Sequence, residues 1–202
     1  LGFHIDIPIY YADNFDSPDL AEKEKGWILS NPVEFIAWFE EKTKSGFQKA
    51  FIYESLSYAE PYKKWLTDIR KNDCQLRRLV RYMKAWADVR KKEMPCGIIM
   101  TILVAENFVV NELRDDIAFR DTLINIKTYL DGNGIKCPRP TSPVDEDLFK
   151  NTSEQEKQYF MNALDALIES ANKSVNTNDE KQACKEWEKH LGSRFPSQLV
   201  TE

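Results

Sequence analysis

Asp6 is the residue near the start of the chain whose type and position point most directly to chemistry. Apolar residues alternate with other types from Phe3 to Ile9, and this period of two predicts a half-buried β-strand. The alternation places Asp6 on the face opposite the apolar side chains. A carboxylate there can bind a divalent metal ion or take part in acid/base chemistry. It can equally be a solvent-facing residue, and residue type alone leaves the alternatives open.

A basic stripe is the second candidate site. Arg77, Arg81 and Lys84 follow one another at spacings of four and three residues, which places them on one face of a helix. Lys84, with Arg81 beside it, is suited to bind nucleotide phosphates as a point charge. The alternative is that the stripe is the solvated face of an amphipathic helix.

The third candidate is the turn at Pro95, Cys96 and Gly97, which opens an apolar helix. Free N–H groups at a helix start can bind an anion, and a glycine lets a ligand approach closely. An ordinary helix start is the alternative. Cys96 is not expected to be a nucleophile, because no histidine or other base lies near it in the sequence.

Aromatic residues close to the first strand form a further group. Tyr10, Tyr11 and Trp27 are able to stack on a nucleobase. Aromatic side chains beside an apolar strand also commonly belong to a core, so both interpretations stay open.

Helices account for most of the remaining chain. The segment from Ala12 to Gly26 is polar and predicts a loop, and the first helix is expected to begin with Asn31 as cap and Pro32 as its first residue. Hydrophobic periodicity, capping residues and helix breakers then predict the later elements. They are a first helix ending near Gly46, helices over 74–92, 96–107 and about 114–130, an extended crossing over 135–150, a helix from the capping box Thr152/Gln155 to about Lys173, and a last helix from the capping box Thr177/Glu180 to Gly192.

Composition restricts the class of protein. The chain has 202 residues, of which 42% are hydrophobic, and its aromatic content predicts a packed domain rather than disorder. A net charge of -5 argues against a surface that attracts nucleic acid as a whole. The apolar runs are too short for a membrane span. Four widely spaced cysteines and two histidines predict neither a disulfide scaffold nor a zinc site, which favours a cytoplasmic protein.

Taken in order, these segments resemble the nucleotidyltransferases of the cyclic GMP-AMP synthase, DncV and oligoadenylate synthase type. The resemblance is greatest to the bacterial cyclic-oligonucleotide synthases of anti-phage defence operons. It extends over nearly the whole chain. The resembling segments are HIDIPIY at 4–10, the stretch from Trp27 through SNPVEF to Trp38 and Phe39, RRLVRYMKAW at 77–86, MPCG at 94–97, PVDEDL at 143–148, and the stretch from Trp187 to Pro196.

The resemblance implies a fold and a set of roles. The fold would be mainly α, a helical bundle over 13–202 that follows the last strand of a nucleotidyltransferase palm sheet at 1–12. Asp6 would be a catalytic carboxylate that binds Mg²⁺, and Lys84, with Arg81 nearby, would contact the donor triphosphate. Cys96 falls where related enzymes often have a serine that reaches a phosphate, although a thiol is a weaker hydrogen-bond donor.

The chain also departs from the family pattern. In the family, a Gly-Ser turn and an Asp-x-Asp pair precede the third metal-binding carboxylate, which Asp6 would match, and in this sequence neither precedes Asp6. We therefore predict a C-terminal fragment of a synthase that makes cyclic di- or oligonucleotides from nucleoside triphosphates, with no turnover of its own. Its expected partners are nucleoside triphosphates, the N-terminal half of the same protein and a regulatory protein of a defence operon. We expect no binding to a membrane.

Two other functions fit the sequence. One is a nucleotidyltransferase that adds nucleotides to RNA, although the acidic net charge argues against a long RNA substrate. The other is a helical interaction domain without enzymatic activity. In that case the strand that carries Asp6 would pair with the sheet edge of a partner protein.

Overall fold

The computed structural model describes residues 8–11, 18–22, 26–54, 74–90, 94–111, 114–193 and 195. Asp6 and the rest of the predicted strand before Pro8 lie outside these residues. The described part is mainly helical and carries a small sheet, which confirms the predicted fold class. Its elements are β1 (Tyr10–Tyr11), β2 (Asp19–Glu22), β3 (Gly26–Leu29), α1 (Pro32–Glu54), α2 (Gln75–Arg90), α3 (Gly97–Glu106), α4 (Asp115–Asn133), α5 (Glu154–Asn176) and α6 (Glu180–Leu191).

The three strands form an antiparallel sheet in the order β1-β2-β3. Tyr10 is paired with Leu20, and Leu20 with Ile28. The loop predicted from Ala12 to Gly26 is therefore wrong at β2 and at the first residue of β3. β2 is poor in strand-forming residues, and hydrogen bonding to its two neighbours outweighs that weak local preference.

Helix α1 begins as predicted but does not end as predicted. The Glu34 backbone N–H donates a hydrogen bond to Oδ1 of Asn31 at 3.0 Å, so Asn31 caps the helix that begins at Pro32. The predicted end at Gly46 is wrong, because α1 continues to Glu54. A glycine inside a helix costs only about 1 kcal/mol relative to alanine, which is not enough by itself to end a helix.

The predicted apolar faces of the next helices are confirmed. One face of α2 is buried, and α3 is buried along most of its length. These two helices, together with α4 and α5, supply most of one hydrophobic core. The buried residues are Leu76, Leu79, Val80, Met83 and Trp86 in α2, and 99–105 in α3.

The two capping boxes that we predicted for α5 and α6 are wrong, because neighbouring residues cap these helices. The cap of α5 is Ser153, whose hydroxyl accepts from the Glu156 N–H at 3.2 Å while the Glu156 carboxylate accepts from the Ser153 N–H at 2.9 Å. The cap of α6 is Asp179, which accepts from the Gln182 N–H at 3.0 Å. Adjacent residues offered alternative capping pairs, and the sequence pattern did not distinguish between them.

The segment over 135–150 is a closed loop rather than the extended crossing that we predicted. Pro138 and Asp147 form an antiparallel bridge. The Asp147 carboxylate accepts from the backbone N–H groups of Cys137 and Phe149, each at 3.0 Å. These bonds give a partner to two backbone N–H groups that lie outside any regular helix or sheet. The loop is joined to α1, because Glu34 accepts from the Ser142 N–H at 3.1 Å.

His190 fixes α6 against α2 and α5. Its Nδ1 lies 3.2 Å from Nη2 of Arg90, and its Nε2 lies 3.0 Å from Oγ of Ser170. Arginine can only donate, so Nδ1 accepts and His190 is neutral, with its proton on Nε2. Burial and, next, the charge of Arg90 lower the pKa of His190 from its ordinary value of 6.5.

We predict that the protein loses stability as the pH falls below about 6.5 because of His190. With its pKa lowered on folding, this residue binds fewer protons in the folded state, so protonation favours the unfolded chain. The check is urea denaturation at pH 7.5 and pH 5.5 for the wild type and His190→Gln. The loss between the two pH values should be smaller in the variant. Equal losses in both proteins would remove His190 from the explanation.

None of the described helices is long and apolar enough to cross a membrane.

Candidate functional site

Lys84 lies against the start of α3. A Cβ placed on Gly97 would be 3.5 Å from Cε of Lys84 and 3.8 Å from its Nζ. The two residues belong to different helices, and the packing of α2 on α3 brings them together. Lys84, Cys96 and Gly97 are all exposed, so the ammonium group and the helix start share one accessible surface.

The start of α3 adds positive electrostatic potential to this surface. Cys96 is the residue before the helix, in an extended conformation, and Gly97 is the first helical residue. The first N–H groups of an α-helix lack partners inside the helix and carry partial positive charge. Among the described residues, the Cys96 side chain makes no capping hydrogen bond. The arrangement is suited to bind an anion with several oxygens, such as a phosphate chain.

The other members of the predicted basic stripe have different surroundings. Arg77 forms an ion pair with Glu40 of α1, which compensates its charge. Arg81 is exposed three residues before Lys84 and lies on the same helix face. The structure therefore brings Lys84 and Cys96 to one place, with Arg81 one turn away. Their roles in binding stay predictions.

The residues that the structure describes do not form the predicted metal site. Within the described ranges, no group of three His, Cys, Asp or Glu side chains could hold a metal ion. The residues at Lys84 and Gly97 are cationic or weakly polar, and these do not bind Mg²⁺. Mg²⁺ therefore does not fit the described residues, and its only candidate ligand in our sequence interpretation is Asp6, which lies outside them.

Asp115, at the start of α4, is the centre of a polar network that the sequence did not reveal. Arg78 donates to it through Nε at 2.6 Å and Nη2 at 2.8 Å. Gln75 donates through its side-chain amide at 2.9 Å, and the Tyr82 hydroxyl donates at 3.0 Å. Four donors on one carboxylate fix the start of α4 against α2.

The pKa values follow from this geometry. Burial alone would raise the pKa of Asp115, but hydrogen bonds from Arg78, Gln75 and Tyr82 outweigh burial and lower it. Burial and, next, the adjacent charge of Asp115 raise the pKa of Tyr82 to about 12. Asp115 is therefore charged and Tyr82 neutral at physiological pH, as an anchoring ion pair requires.

We expect Arg78→Ala to lower the free energy of unfolding by about 1–3 kcal/mol, since it leaves a half-buried carboxylate without its charged donor. The neighbouring variant Arg77→Ala is a matched control. Arg77 belongs to a more exposed ion pair, and such pairs contribute at most about 1 kcal/mol. Urea denaturation of both variants is the measurement. A loss for Arg77→Ala as large as that for Arg78→Ala would contradict the anchoring role of Asp115.

A cleft of about 480 Å³ lies between α2, α4 and α6. Its apolar wall includes Phe119 and Trp187, whose ring centres are 5.8 Å apart. At its rim, Asp115 is held by Arg78, and Asp116 accepts from Nε of Arg114 at 2.8 Å. The carboxylates at the rim are therefore engaged within the protein, and the cleft is suited to apolar contact.

The cleft and the surface around Lys84 are separate places. Tyr82 lines the cleft and precedes Lys84 by two residues, which is a rotation of about 200° around the helix. Lys84 thus faces away from the cleft. The sequence contained the apolar periodicity that supplies the wall of the cleft, but no signal that a cleft would form between these helices.

The comparisons with known proteins concern the same helices. Residues 73–202 match the family described as cyclic GMP-AMP synthase, C-terminal domain. The match includes Lys84, Cys96, the Asp115 network and all helices from α2 to α6. It covers more than half of the chain.

Solved structures show the same fold. The Escherichia coli DncV bound to 3'-deoxy GTP is 18% identical, with a TM-score of 0.69, and the match covers 98% of this chain and 49% of that one. The Vibrio cholerae DncV apo form is 17% identical, with a TM-score of 0.68, and the match covers 96% and 47%. The Vibrio cholerae DncV with the linear intermediate pppA(3',5')pG is 18% identical, with a TM-score of 0.65, and the match covers 92% and 42%. The chain spans less than half the length of these proteins.

Proposed function

Because the chain belongs to the family of cyclic GMP-AMP synthase C-terminal domains, we propose that it is the C-terminal part of a synthase of cyclic di- or oligonucleotides. Its substrates would be nucleoside triphosphates, ATP among them, and its cofactor in the complete enzyme would be Mg²⁺. Structurally similar proteins have been solved with 3'-deoxy GTP and with a linear triphosphate-bearing dinucleotide. These complexes support the substrate class.

The observation that carries this proposal is the position of the Lys84 ammonium group beside Gly97 at the start of α3. Lys84 would neutralise the triphosphate of the donor nucleotide, and the N–H groups after Cys96 would donate to its oxygens. The Cys96 thiol would be a weak additional donor. Arg81 would supply further positive charge beside Lys84.

The reaction we propose is attack of a ribose hydroxyl on the α-phosphate of a bound triphosphate, with release of pyrophosphate. A second such step closes the linear intermediate into a ring. Holding the triphosphate in place would position the α-phosphate for attack. Asp6 would be a catalytic carboxylate, and we derive no step through Mg²⁺, because the described residues do not form its site.

The proposal extends to partners and context. The relatives are about twice as long as this chain, so the complete enzyme would include an N-terminal half, and the 202-residue chain alone would have no turnover. We place the enzyme in the cytoplasm, in an anti-phage defence operon that also encodes a regulatory protein.

Product analysis tests the proposal. The longer gene product that contains this chain is incubated with ATP, GTP, CTP, UTP and Mg²⁺, and products are identified by mass spectrometry. We expect nucleotide products that lack a terminal phosphate and resist phosphatase, as rings do. Linear tails on added RNA would favour the RNA-directed alternative. Absence of any nucleotide product, or turnover by the 202-residue chain alone, would contradict the proposal.

A further inference from the structure

Thr101 is the one polar residue in the buried part of α3. The buried residues of this helix run without interruption from 99 to 105, and all of them except Thr101 are apolar. Thr101 itself is 5% exposed. Burying a hydroxyl is costly unless it forms a hydrogen bond, and valine has nearly the same shape without that cost. The reason for a threonine at this position therefore lies in the hydrogen bond that its hydroxyl forms.

This hydrogen bond connects the core to the exposed start of the helix. Oγ1 of Thr101 donates to the carbonyl oxygen of Gly97 at 2.7 Å. Gly97 is the first residue of α3 and lies beside Lys84. A threonine inside a helix often bonds to the carbonyl four residues earlier. In α3, however, that carbonyl belongs to the residue that borders the candidate phosphate site.

The peptide group between Gly97 and Ile98 relates this bond to the N–H groups at the helix start. The Met100 N–H donates to the Cys96 carbonyl at 3.2 Å, so the N–H groups of 97, 98 and 99 have no partner within the helix. The Gly97 carbonyl and the Ile98 N–H belong to one planar peptide group. A peptide group whose carbonyl accepts a hydrogen bond is polarised, and its N–H becomes a stronger donor.

We propose that Thr101 is a positioning residue for the phosphate chain of the nucleotide. By donating to the Gly97 carbonyl, its hydroxyl holds the first peptide group of α3 in place and strengthens the Ile98 N–H as a donor to a phosphate oxygen. Thr101 is buried, so it acts through this peptide group and does not itself contact the nucleotide. The inference rests on the proposed function, because it requires the phosphates to lie at Lys84 and the start of α3.

Thr101→Val is the variant that tests the inference. It keeps the shape of the side chain and removes the hydroxyl. The Gly97 carbonyl still accepts the backbone N–H four residues later, as in any α-helix, so the change leaves no buried group without a partner. We expect ATP binding by the longer gene product, measured by calorimetric titration, to weaken about two- to fivefold. Thr101→Ser keeps the hydroxyl and should bind ATP within about twofold of the wild type.

Thr128→Val is the matched control. Oγ1 of Thr128 donates to the Ile124 carbonyl at 2.9 Å, which is the same type of bond, but it lies in the middle of α4, where the Asn125 N–H is already bonded within the helix. Nuclear magnetic resonance of the 202-residue chain without nucleotide reads the polarisation directly. We expect the amide nitrogen signal of Ile98 to move upfield in Thr101→Val, and that of Asn125 in Thr128→Val. ATP affinity should fall only in Thr101→Val.

Three results would overturn the inference. They are ATP binding by Thr101→Val equal to that of the wild type, an Ile98 signal that does not move in this variant, and equal losses of affinity in Thr101→Val and Thr101→Ser, which would indicate a packing defect. If Lys84→Ala weakens ATP binding and Thr101→Val does not, the inference fails and the proposed function stands. If the wild type does not bind ATP, the proposed function fails, and the role of Thr101 fails with it.

Discussion

Replacing Phe160 with alanine is expected to lower the free energy of unfolding by about 3–5 kcal/mol. Phe160 is fully buried in α5. Its ring centre lies 6.0 Å from that of Trp86 in α2 and 6.1 Å from that of Phe149 in the loop before α5. The substitution would leave a cavity where three segments meet, and dense packing prevents the surroundings from closing it fully.

Ile124→Ala is the control for this prediction. Ile124 lies on α4 and is 39% exposed, so its loss should cost less than about 1 kcal/mol. Urea denaturation followed by circular dichroism measures both variants. Losses of similar size for the two variants would mean that Phe160 is not at the centre of the core.

Lys84→Ala is expected to weaken ATP binding by the complete enzyme about 10- to 100-fold, which is the effect of losing one hydrogen bond to a charged group. The removed ammonium lies beside Gly97, where the proposed phosphate chain also meets the N–H groups of α3. Lys84→Arg should restore part of the affinity, since it keeps the charge but presents it as a planar fork. Calorimetric titration with ATP is the measurement.

Lys185→Ala is the matched control, because Lys185 is an exposed lysine on α6. Its removal changes the net charge by the same amount and should leave ATP affinity within about twofold, since exposed charges at a distance are screened by salt. If the two lysine variants bind ATP equally well, Lys84 is not a phosphate ligand.

The helical part of the fold was predictable because helix periodicity and capping are local signals. Leu76, Leu79 and Met83 repeat at helical spacing and are buried together in α2. Asn31 and Pro32 fixed the start of α1, and Gly192 ends α6 as predicted. In each case the residues that decide the structure are neighbours in the sequence.

The errors lie where distant contacts decide. β2 is a strand because two other strands pair with it, and its own residues favour a loop. α1 continues past Gly46, where a single unfavourable residue does not end the helix. The hydrogen bonds from Arg78 and Gln75 to Asp115 connect residues about forty positions apart. The sequence pattern within one helix cannot predict such bonds.

The candidate site was predictable in its parts but not in its assembly. Lys84 and Cys96 belong to separate motifs, and only the packing of α2 on α3 shows that they share one surface. The partner of Arg77 was not predictable, because Glu40 belongs to α1. Asp6 lies outside the described residues, so its role rests on the resemblance and on its position in an alternating sequence pattern.

The central claim is that Lys84 and the start of α3 bind the phosphates of a nucleoside triphosphate. It is tested most directly by nuclear magnetic resonance of the 202-residue chain, with ATP added stepwise and with sodium chloride at the same ionic strength as the reference. We expect the backbone amide signals of Gly97 and Ile98 to move with ATP, and to stay in place in Lys84→Ala. Unchanged Gly97 and Ile98 signals at saturating ATP, or equal movement in Lys84→Ala, would contradict the claim.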